Sequence, residues 1–139
     1  MSVFLSRSEK ETAEIAARLA KQLKSGDIVA LYGTLGAGKT AFCRGFIQSL
    51  LPETEVPSPT FTLLQTYDTP SFPVYHFDMY RLKSPEEAYE IGIEDAFAEG
   101  VSLIEWPEKI GSLLPKKHIR VDIRFKDNNR QIEIERLNS

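Results

Sequence analysis

Eight consecutive residues have the types and spacing of a loop that binds phosphate. They match the pattern G-x-x-x-x-G-K-[ST] and are Gly33, Thr34, Leu35, Gly36, Ala37, Gly38, Lys39 and Thr40. Small residues let the backbone curl so that its N–H groups point at phosphate oxygens, and a following helix aims its positive end at them. Lys39 is predicted to reach the β and γ phosphates, and the Thr40 hydroxyl to bind Mg²⁺. The alternative is a glycine-rich turn with an exposed lysine.

Two acidic residues near predicted strand ends are candidates to complete such a site. A carboxylate must hold the magnesium shell and the attacking water. Glu105 closes the apolar segment 101–104, and Asp78 lies within segment 75–81. Burying an acid in an apolar strand is costly unless it is paired or bound to a cation. We predict a magnesium role for Glu105, with a solvated strand-end acid as the alternative, and a catalytic role for Asp78, with an ion pair to Arg81 as the alternative.

Other side chains that can do chemistry occur in weaker patterns. Strand alternation puts His76 on the same face as Asp78, and we predict a partly buried, hydrogen-bonded histidine there. His76 and His118 lack metal-ligand spacing, so no transition-metal site is expected. Trp106 is equally compatible with core packing and with a lid beside the phosphates. Cys43 is the only cysteine, which excludes an internal disulfide, and we expect it to pack as a small apolar residue.

The predicted elements around the glycine-rich loop stand in the order that phosphate binding requires. A capping-box pattern at residues 8–11 and helical spacing of apolar residues predict a helix over 8–24. The continuous apolar run 27–32 predicts a strand buried on both faces of a parallel sheet. The loop follows, and then a helix over 40–51 that stops before Pro52. A strand before the loop and a helix after it favour phosphate binding over an ordinary turn.

The rest of the chain predicts further strands and one short helix. Two prolines make 57–60 a loop. The predicted elements after it are a hairpin of strands 61–67 and 74–80, a helix over 84–92, a strand over 101–105, and strands 118–125 and 131–137 around the turn 126–129. We expect a single P-loop ATPase domain over 1–139, of the α/β class. Its fold would be a P-loop NTPase-like three-layer sandwich with a mixed, mainly parallel central sheet and antiparallel hairpins.

Composition limits the class of protein. A length of 139 residues with 42% hydrophobic and 27% charged residues is typical of one globular domain. We find no apolar run long enough to span a bilayer, and the first residues lack a secretion-signal pattern, so a cytoplasmic protein without membrane contact is expected. The net charge of -3 argues against a stand-alone nucleic-acid binder, although contacts within a complex stay open.

Four motifs in order carry a family resemblance. They are Gly-Thr-Leu-Gly-Ala-Gly-Lys-Thr at 33–40, Ser-Pro-Thr-Phe-Thr at 58–62, His-Phe-Asp-Met-Tyr-Arg-Leu at 76–82 and Ile-Glu-Trp-Pro at 104–107. Together they resemble the TsaE (YjeE) family of bacterial ATPases over about residues 8 to 125. The last three motifs are more specific to that family than the first.

The resemblance implies a function and its partners. Members of that family act in forming N6-threonylcarbamoyladenosine at position 37 of tRNAs that read codons beginning with adenosine. The TsaB–TsaD heterodimer performs the transfer from threonylcarbamoyl-adenylate, and binding and hydrolysis of ATP on the TsaE subunit, with Mg²⁺, allow repeated turnover. We therefore expect ATP or ADP and Mg²⁺ as ligands, TsaD and TsaB as partners, and contact with tRNA only through the complex.

The resemblance also assigns roles to residues. Lys39 and Thr40 would hold phosphate and magnesium, and Glu105 would complete the magnesium site. Asp78 and Trp106 would lie close to the phosphates. The remaining nucleotide-binding residues implied by the likeness are the loop 33–38, Ala41, and Thr60, which would face the γ-phosphate from a nucleotide-sensitive loop over 58–62. Two departures from the family pattern are Thr34, where an acid is frequent, and Ala41, where a second hydroxyl is frequent.

Two other functions stay open from the sequence. A small-molecule or nucleotide kinase would bind ATP through the same loop, but it needs a second substrate pocket and usually an arginine-bearing lid, and few arginines cluster after the loop helix. A nucleotide-dependent binding module would use the loop without useful hydrolysis.

Overall fold

A seven-stranded mixed sheet forms the centre of the computed structural model, which describes residues 1–59 and 61–138. Its strands lie in the order β1-β7-β6-β2-β5-β4-β3. Their bounds are β1 Ser2–Ser6, β2 Ile28–Tyr32, β3 Leu64–Asp68, β4 Pro73–Asp78, β5 Val101–Glu105, β6 His118–Lys126 and β7 Asn129–Leu137. The four middle strands, β4, β5, β2 and β6, are parallel, and the outer strands pair antiparallel.

Helices cover both faces of the sheet. They are α1 Glu9–Ala20, α2 Lys39–Leu50, α3 Glu87–Glu90, α4 Ile93–Glu99 and a 3-10 helix over Pro107–Leu113. In β2, Val29 and Leu31 pack with α1 and α2, whereas Ile28 packs with the other three helices. This alternation explains the continuous apolar run, because both faces of β2 are covered. Among the described residues, no helix is long and apolar enough to cross a membrane.

A close crossing of α1 and α2 fixes the helix that follows the glycine-rich loop. A Cβ atom at Gly45 of α2 would lie 2.5 Å from the Cα of Ala13 in α1. Real Cβ atoms do not approach backbone this closely, so glycine is required at this crossing. The start of α1 is fixed separately, because the Ser8 side chain accepts a hydrogen bond from the Glu11 N–H at 3.1 Å. The sequence pattern therefore located the beginning of α1 correctly.

The α/β class and the mixed sheet are confirmed, and several boundaries were wrong. The helix predicted over 8–24 ends at Ala20, and the chain then tightens into a turn in which the N–H of Gln22 bonds the Leu19 oxygen at 2.9 Å. The strand predicted from residue 61 begins only at 64. Leu63 has a left-handed φ of 68° and closes a turn through its bond to the Pro59 oxygen at 2.7 Å.

The remaining predicted elements differ from the observed structure in three places. The strand predicted over 74–80 runs from 73 to 78. The helix predicted over 84–92 is the four-residue α3, and a second helix, α4, follows it because Gly92 turns the chain with a φ of 83°. The pairing of β6 with β7 continues to Lys126 and Asn129, so the turn predicted over four residues has two. Neither β1 nor α4 was predicted.

Candidate functional site

The glycine-rich loop leaves the carboxyl end of β2 and leads directly into α2. Gly36 and Gly38 have left-handed φ values of 80° and 112°, which favour glycine. A Cβ atom at Gly33 would lie 2.7 Å from the carbonyl oxygen of Ile123, because β6 passes close to the loop. The loop conformation therefore depends on glycine at three of its positions.

The first turn of α2 offers backbone donors to the loop side. Gly38 caps the helix and carries no side chain that could bond these donors. The first bond after the cap joins the Phe42 N–H to the Gly38 oxygen at 3.0 Å. The N–H groups of Lys39, Thr40 and Ala41 precede it and have no partner within the helix. Such a terminus attracts an anion through its donors and its dipole.

Lys39 is almost completely buried, at 4% exposure, and is folded back against the loop. Its Nζ donates to the Gly33 carbonyl oxygen at 2.6 Å and lies 3.3 Å from the centroid of the Trp106 ring. Burial lowers the pKa of Lys39 from the ordinary lysine value, while the carboxylate of Glu105 acts in the opposite direction. The alternative of an exposed lysine is wrong.

Thr40, Glu105 and His76 form a hydrogen-bonded chain below the loop. The Thr40 Oγ1 donates towards Glu105, at 2.9 Å from Oε1 and 3.1 Å from Oε2. The Nε2 of His76 lies 2.6 Å from the same Oε2. Glu105 is 3% exposed and His76 is 0% exposed. The solvated alternative for Glu105 is wrong, and the prediction of a hydrogen-bonded histidine is confirmed, with complete rather than partial burial.

Asp78 lies beside Glu105 because β4 and β5 are parallel neighbours that end together. The two residues are partners in the strand register, and the Met79 N–H bonds the Glu105 carbonyl oxygen at 3.0 Å. Asp78 is buried, and its Oδ1 accepts a hydrogen bond from the Tyr80 N–H at 3.0 Å. Arg81, which would be the partner of Asp78 in the alternative interpretation as an ion pair, has its guanidinium 4.7 Å from the Phe61 ring.

Trp106 both packs against the core and covers Lys39, so it combines the two arrangements that the sequence left open. It is half-buried, packs against the core on the side of α3 and α4, and also covers the Lys39 ammonium. Its ring centroid lies 4.9 Å from that of Tyr80, and its backbone has a left-handed φ of 58°. A non-glycine residue in this conformation is uncommon and is held here by the surrounding packing.

A cleft of about 330 Å³, here called the loop cleft, brings most of the predicted site residues together. Its lining includes Leu35, Gly36, Gly38, Lys39, Thr40, Ala41, Ser58, Asp78, Glu105 and Trp106. Gly33 is not among these lining residues, but its carbonyl oxygen accepts the hydrogen bond of Lys39, which is. Thr60, which was predicted to face the γ-phosphate, lies outside the described residues. Cys43 is buried, as predicted, and burial raises the pKa of its thiol well above the ordinary value.

A second cleft on the other side of the loop was not predicted. This side cleft, of about 250 Å³, is lined by residues 6–9 and 12, by Gly36, Ala37, Gly38 and Ala41, and by residues 128–130. The Arg130 Nε donates to the Ala37 oxygen at 3.0 Å across 93 residues of sequence. Ala41 borders both clefts. No local pattern could reveal this cleft, because β1 and the β6–β7 turn meet the loop only in the folded chain.

Known proteins place these features in a family. The family model described as "Threonylcarbamoyl adenosine biosynthesis protein TsaE" matches residues 6–132. The chain belongs to the TsaE family. A protein of Rickettsia typhi called tRNA threonylcarbamoyladenosine biosynthesis protein TsaE is 52% identical over 126 residues, which are 90% of this chain and 88% of that protein. The resemblance predicted from the four motifs is thereby confirmed.

A less similar TsaE protein and a solved structure also match this chain over most of its length. A Haemophilus influenzae protein with the same description is 42% identical over 92% of this chain and 80% of its own length. The crystal structure of YdiB from Bacillus subtilis superposes with a TM-score of 0.84 at 32% identity, covering 99% of this chain and 86% of that one. The mixed sheet and the helices on its two faces are therefore the fold of a solved relative.

Proposed function

We propose that this chain is a magnesium-dependent P-loop ATPase of a single domain that supports the formation of N6-threonylcarbamoyladenosine at position 37 of tRNAs reading codons that begin with adenosine. The observation that carries the proposal is the convergence of Lys39, Thr40 and Glu105 at one edge of the sheet, beside the uncapped first turn of α2. The descriptions of its TsaE relatives supply the tRNA modification. The proposal includes a cytoplasmic location and TsaD and TsaB as partners, with tRNA contacted through their complex.

The donor set below the loop fits magnesium. Mg²⁺ prefers oxygen ligands and is usually held by one or two protein groups together with phosphates. The Thr40 hydroxyl and the Glu105 carboxylate are such oxygens, and they already lie within 3.1 Å of each other. A magnesium ion bound there would supply positive charge that offsets the charge of the phosphates. Thr40 and Glu105 would hold it.

The phosphates of ATP would lie between the first turn of α2 and Lys39. The loop N–H groups and the helix N-terminus stabilise the negative charge, and Lys39 exchanges its bond to the Gly33 oxygen for bonds to the β and γ phosphates. Hydrolysis forms a bond from a water oxygen to the γ-phosphorus and breaks the bond to the ADP oxygen, with release of a proton. Asp78, which lines the loop cleft, would orient that water.

The nucleoside of ATP would extend into the side cleft. The loop separates the two clefts, and Ala41 lines both, so a nucleotide with its γ-phosphate near Asp78 can reach the side cleft along α2. Arg130 lines this cleft and is held there by its hydrogen bond to the Ala37 oxygen. Asn128 also lines this cleft, and an asparagine amide can offer both a donor and an acceptor to a base.

The experiment that tests the function measures ATP hydrolysis by the purified chain alone and with TsaB–TsaD, in the presence and absence of tRNA. We expect a slow rate alone and stimulation by the partners, because switch proteins of this type obtain part of their site from a partner. A Lys39→Ala variant should lose the stimulated rate. A fast rate that ignores the partners would contradict the proposal and favour a kinase, which transfer of labelled phosphate to nucleosides and sugars would detect.

A further inference from the structure

We propose that His76 is a positioning residue that orients the Glu105 carboxylate for the magnesium site. This inference rests on the function proposed above, since it assumes that Glu105 holds the ion. The two side chains come from neighbouring parallel strands, β4 and β5, and their contact of 2.6 Å is the shortest of those that Glu105 makes with the side chains of Thr40 and His76.

The direction of the bond follows from the chemistry of the two groups. A carboxylate only accepts hydrogen bonds, so the Nε2 of His76 carries the proton and donates it to Oε2. The Nδ1 on the other side of the ring is buried and has no hydrogen-bond partner among residues 1–59 and 61–138. The unpartnered Nδ1 costs free energy that an apolar residue at this position would avoid.

The contact restricts the orientation of the carboxylate. Oε2 is shared between His76 and Thr40, whereas Oε1 contacts only Thr40 of these two side chains. With Oε2 held by His76, the carboxylate keeps Oε1 within 2.9 Å of the Thr40 hydroxyl. Groups that hydrogen-bond a metal ligand in this way fix its orientation, and their loss commonly weakens metal binding.

A merely structural histidine would have a different consequence. The ring fills space in the core between β4 and α2, where Cys43 lies close to both His76 and Glu105. If its role were only packing, an apolar residue of similar size would serve equally well. Removing the hydrogen-bond donor at the Nε2 position while keeping the side-chain volume therefore distinguishes a positioning role from a packing role.

The test compares four variants at position 76 and next to it. His76→Leu keeps volume without a donor, His76→Gln places an amide N–H at about the reach of Nε2, and His76→Asn carries an amide too short to reach Glu105. Phe77→Leu is the matched control, because Phe77 is equally buried on the same strand and packs on the opposite face, with α3 and α4. Each protein is checked for folding by circular dichroism and thermal unfolding.

The readout is the affinity of the ADP-loaded protein for Mn²⁺, followed by the loss of the free-ion signal in electron paramagnetic resonance. We expect His76→Leu and His76→Asn to bind Mn²⁺ about tenfold or more weakly, and His76→Gln to stay within about threefold of wild type, as does Phe77→Leu. The Mg²⁺ concentration for half-maximal ATPase should follow the same order.

Three results would overturn the proposal. Equal Mn²⁺ affinity in wild type and His76→Leu, with only thermal stability lowered, would reject positioning and leave a packing role. If His76→Leu fails to fold, equal affinities of His76→Gln and His76→Asn would reject it. If wild type binds Mn²⁺ in the presence of ADP no better than Lys39→Ala does, the magnesium site itself is rejected, and with it the function proposed above.

Discussion

Replacing Lys39 by alanine should weaken ATP binding by an amount that the folded-back lysine limits. In the bound state we expect Lys39 to donate to two phosphates, and without nucleotide it already donates to the Gly33 oxygen. The net gain on binding is therefore one charge-assisted hydrogen bond, worth about 1.5–3 kcal/mol. This corresponds to about a ten- to hundredfold increase in Kd for Lys39→Ala.

Isothermal titration calorimetry with ATP and Mg²⁺ measures this change directly. Lys117→Ala is a suitable control, because Lys117 is exposed and directly precedes β6, at the end of the sheet opposite the loop. We expect the control to bind like wild type. Equal affinity of Lys39→Ala and wild type would refute the assignment of this loop to phosphate binding. A loss far beyond hundredfold would show that the contacts to Gly33 and Trp106 do not compete with the nucleotide.

Further predictions concern the ion, the lysine and the helix crossing. Glu105→Ala should mainly damage magnesium-dependent turnover, and equal rates for mutant and wild type across a Mg²⁺ titration would reject its role. Lys39→Met should raise the melting temperature of the nucleotide-free protein near neutral pH: burial lowers the pKa of Lys39, so the folded state is less stable while the lysine stays protonated. That gain should fade as pH rises towards the ordinary lysine value, and a gain independent of pH in thermal scans would contradict it. Gly45→Ala should lower the melting temperature by several degrees, because its Cβ would lie 2.5 Å from the Ala13 backbone. A contact this close to backbone places the cost of overpacking near the upper end of about 1–3 kcal/mol, which exceeds the gain in helix propensity of about 1 kcal/mol. An unchanged melting temperature would mean that the helices separate freely.

The glycine-rich loop and its neighbouring elements could be predicted because consecutive segments of the sequence specify them. The apolar run of β2, the glycine pattern and the helix after it follow one another without a gap, and each restricts its own backbone. Asp78 and Glu105 could be recognised as candidates because an acid in an apolar strand must be paired or bound to a cation. The sequence alone left the position of Trp106 open, since only the fold decides that one ring contacts both the core and Lys39.

The missed features depend on contacts between distant parts of the chain. β1 has a largely exposed pattern and forms only because β7 offers it an edge, with Phe4 opposite Ile132. α4 was missed because Gly92 was interpreted as the end of a helix, whereas its positive φ joins two short ones. The hydrogen bond from Arg130 to the Ala37 oxygen joins residues 93 apart, so no local sequence pattern could predict it.

The ammonium of Lys39 lies 3.3 Å from the centre of an indole ring, and Trp106 is the only tryptophan in the chain. A positive charge this close perturbs the excited state of indole. Departure of the lysine towards a phosphate should therefore change the intrinsic emission of the protein without any label. Stopped-flow mixing with ATP would then time the movement of one side chain, and could separate it from the later loss of the γ-phosphate.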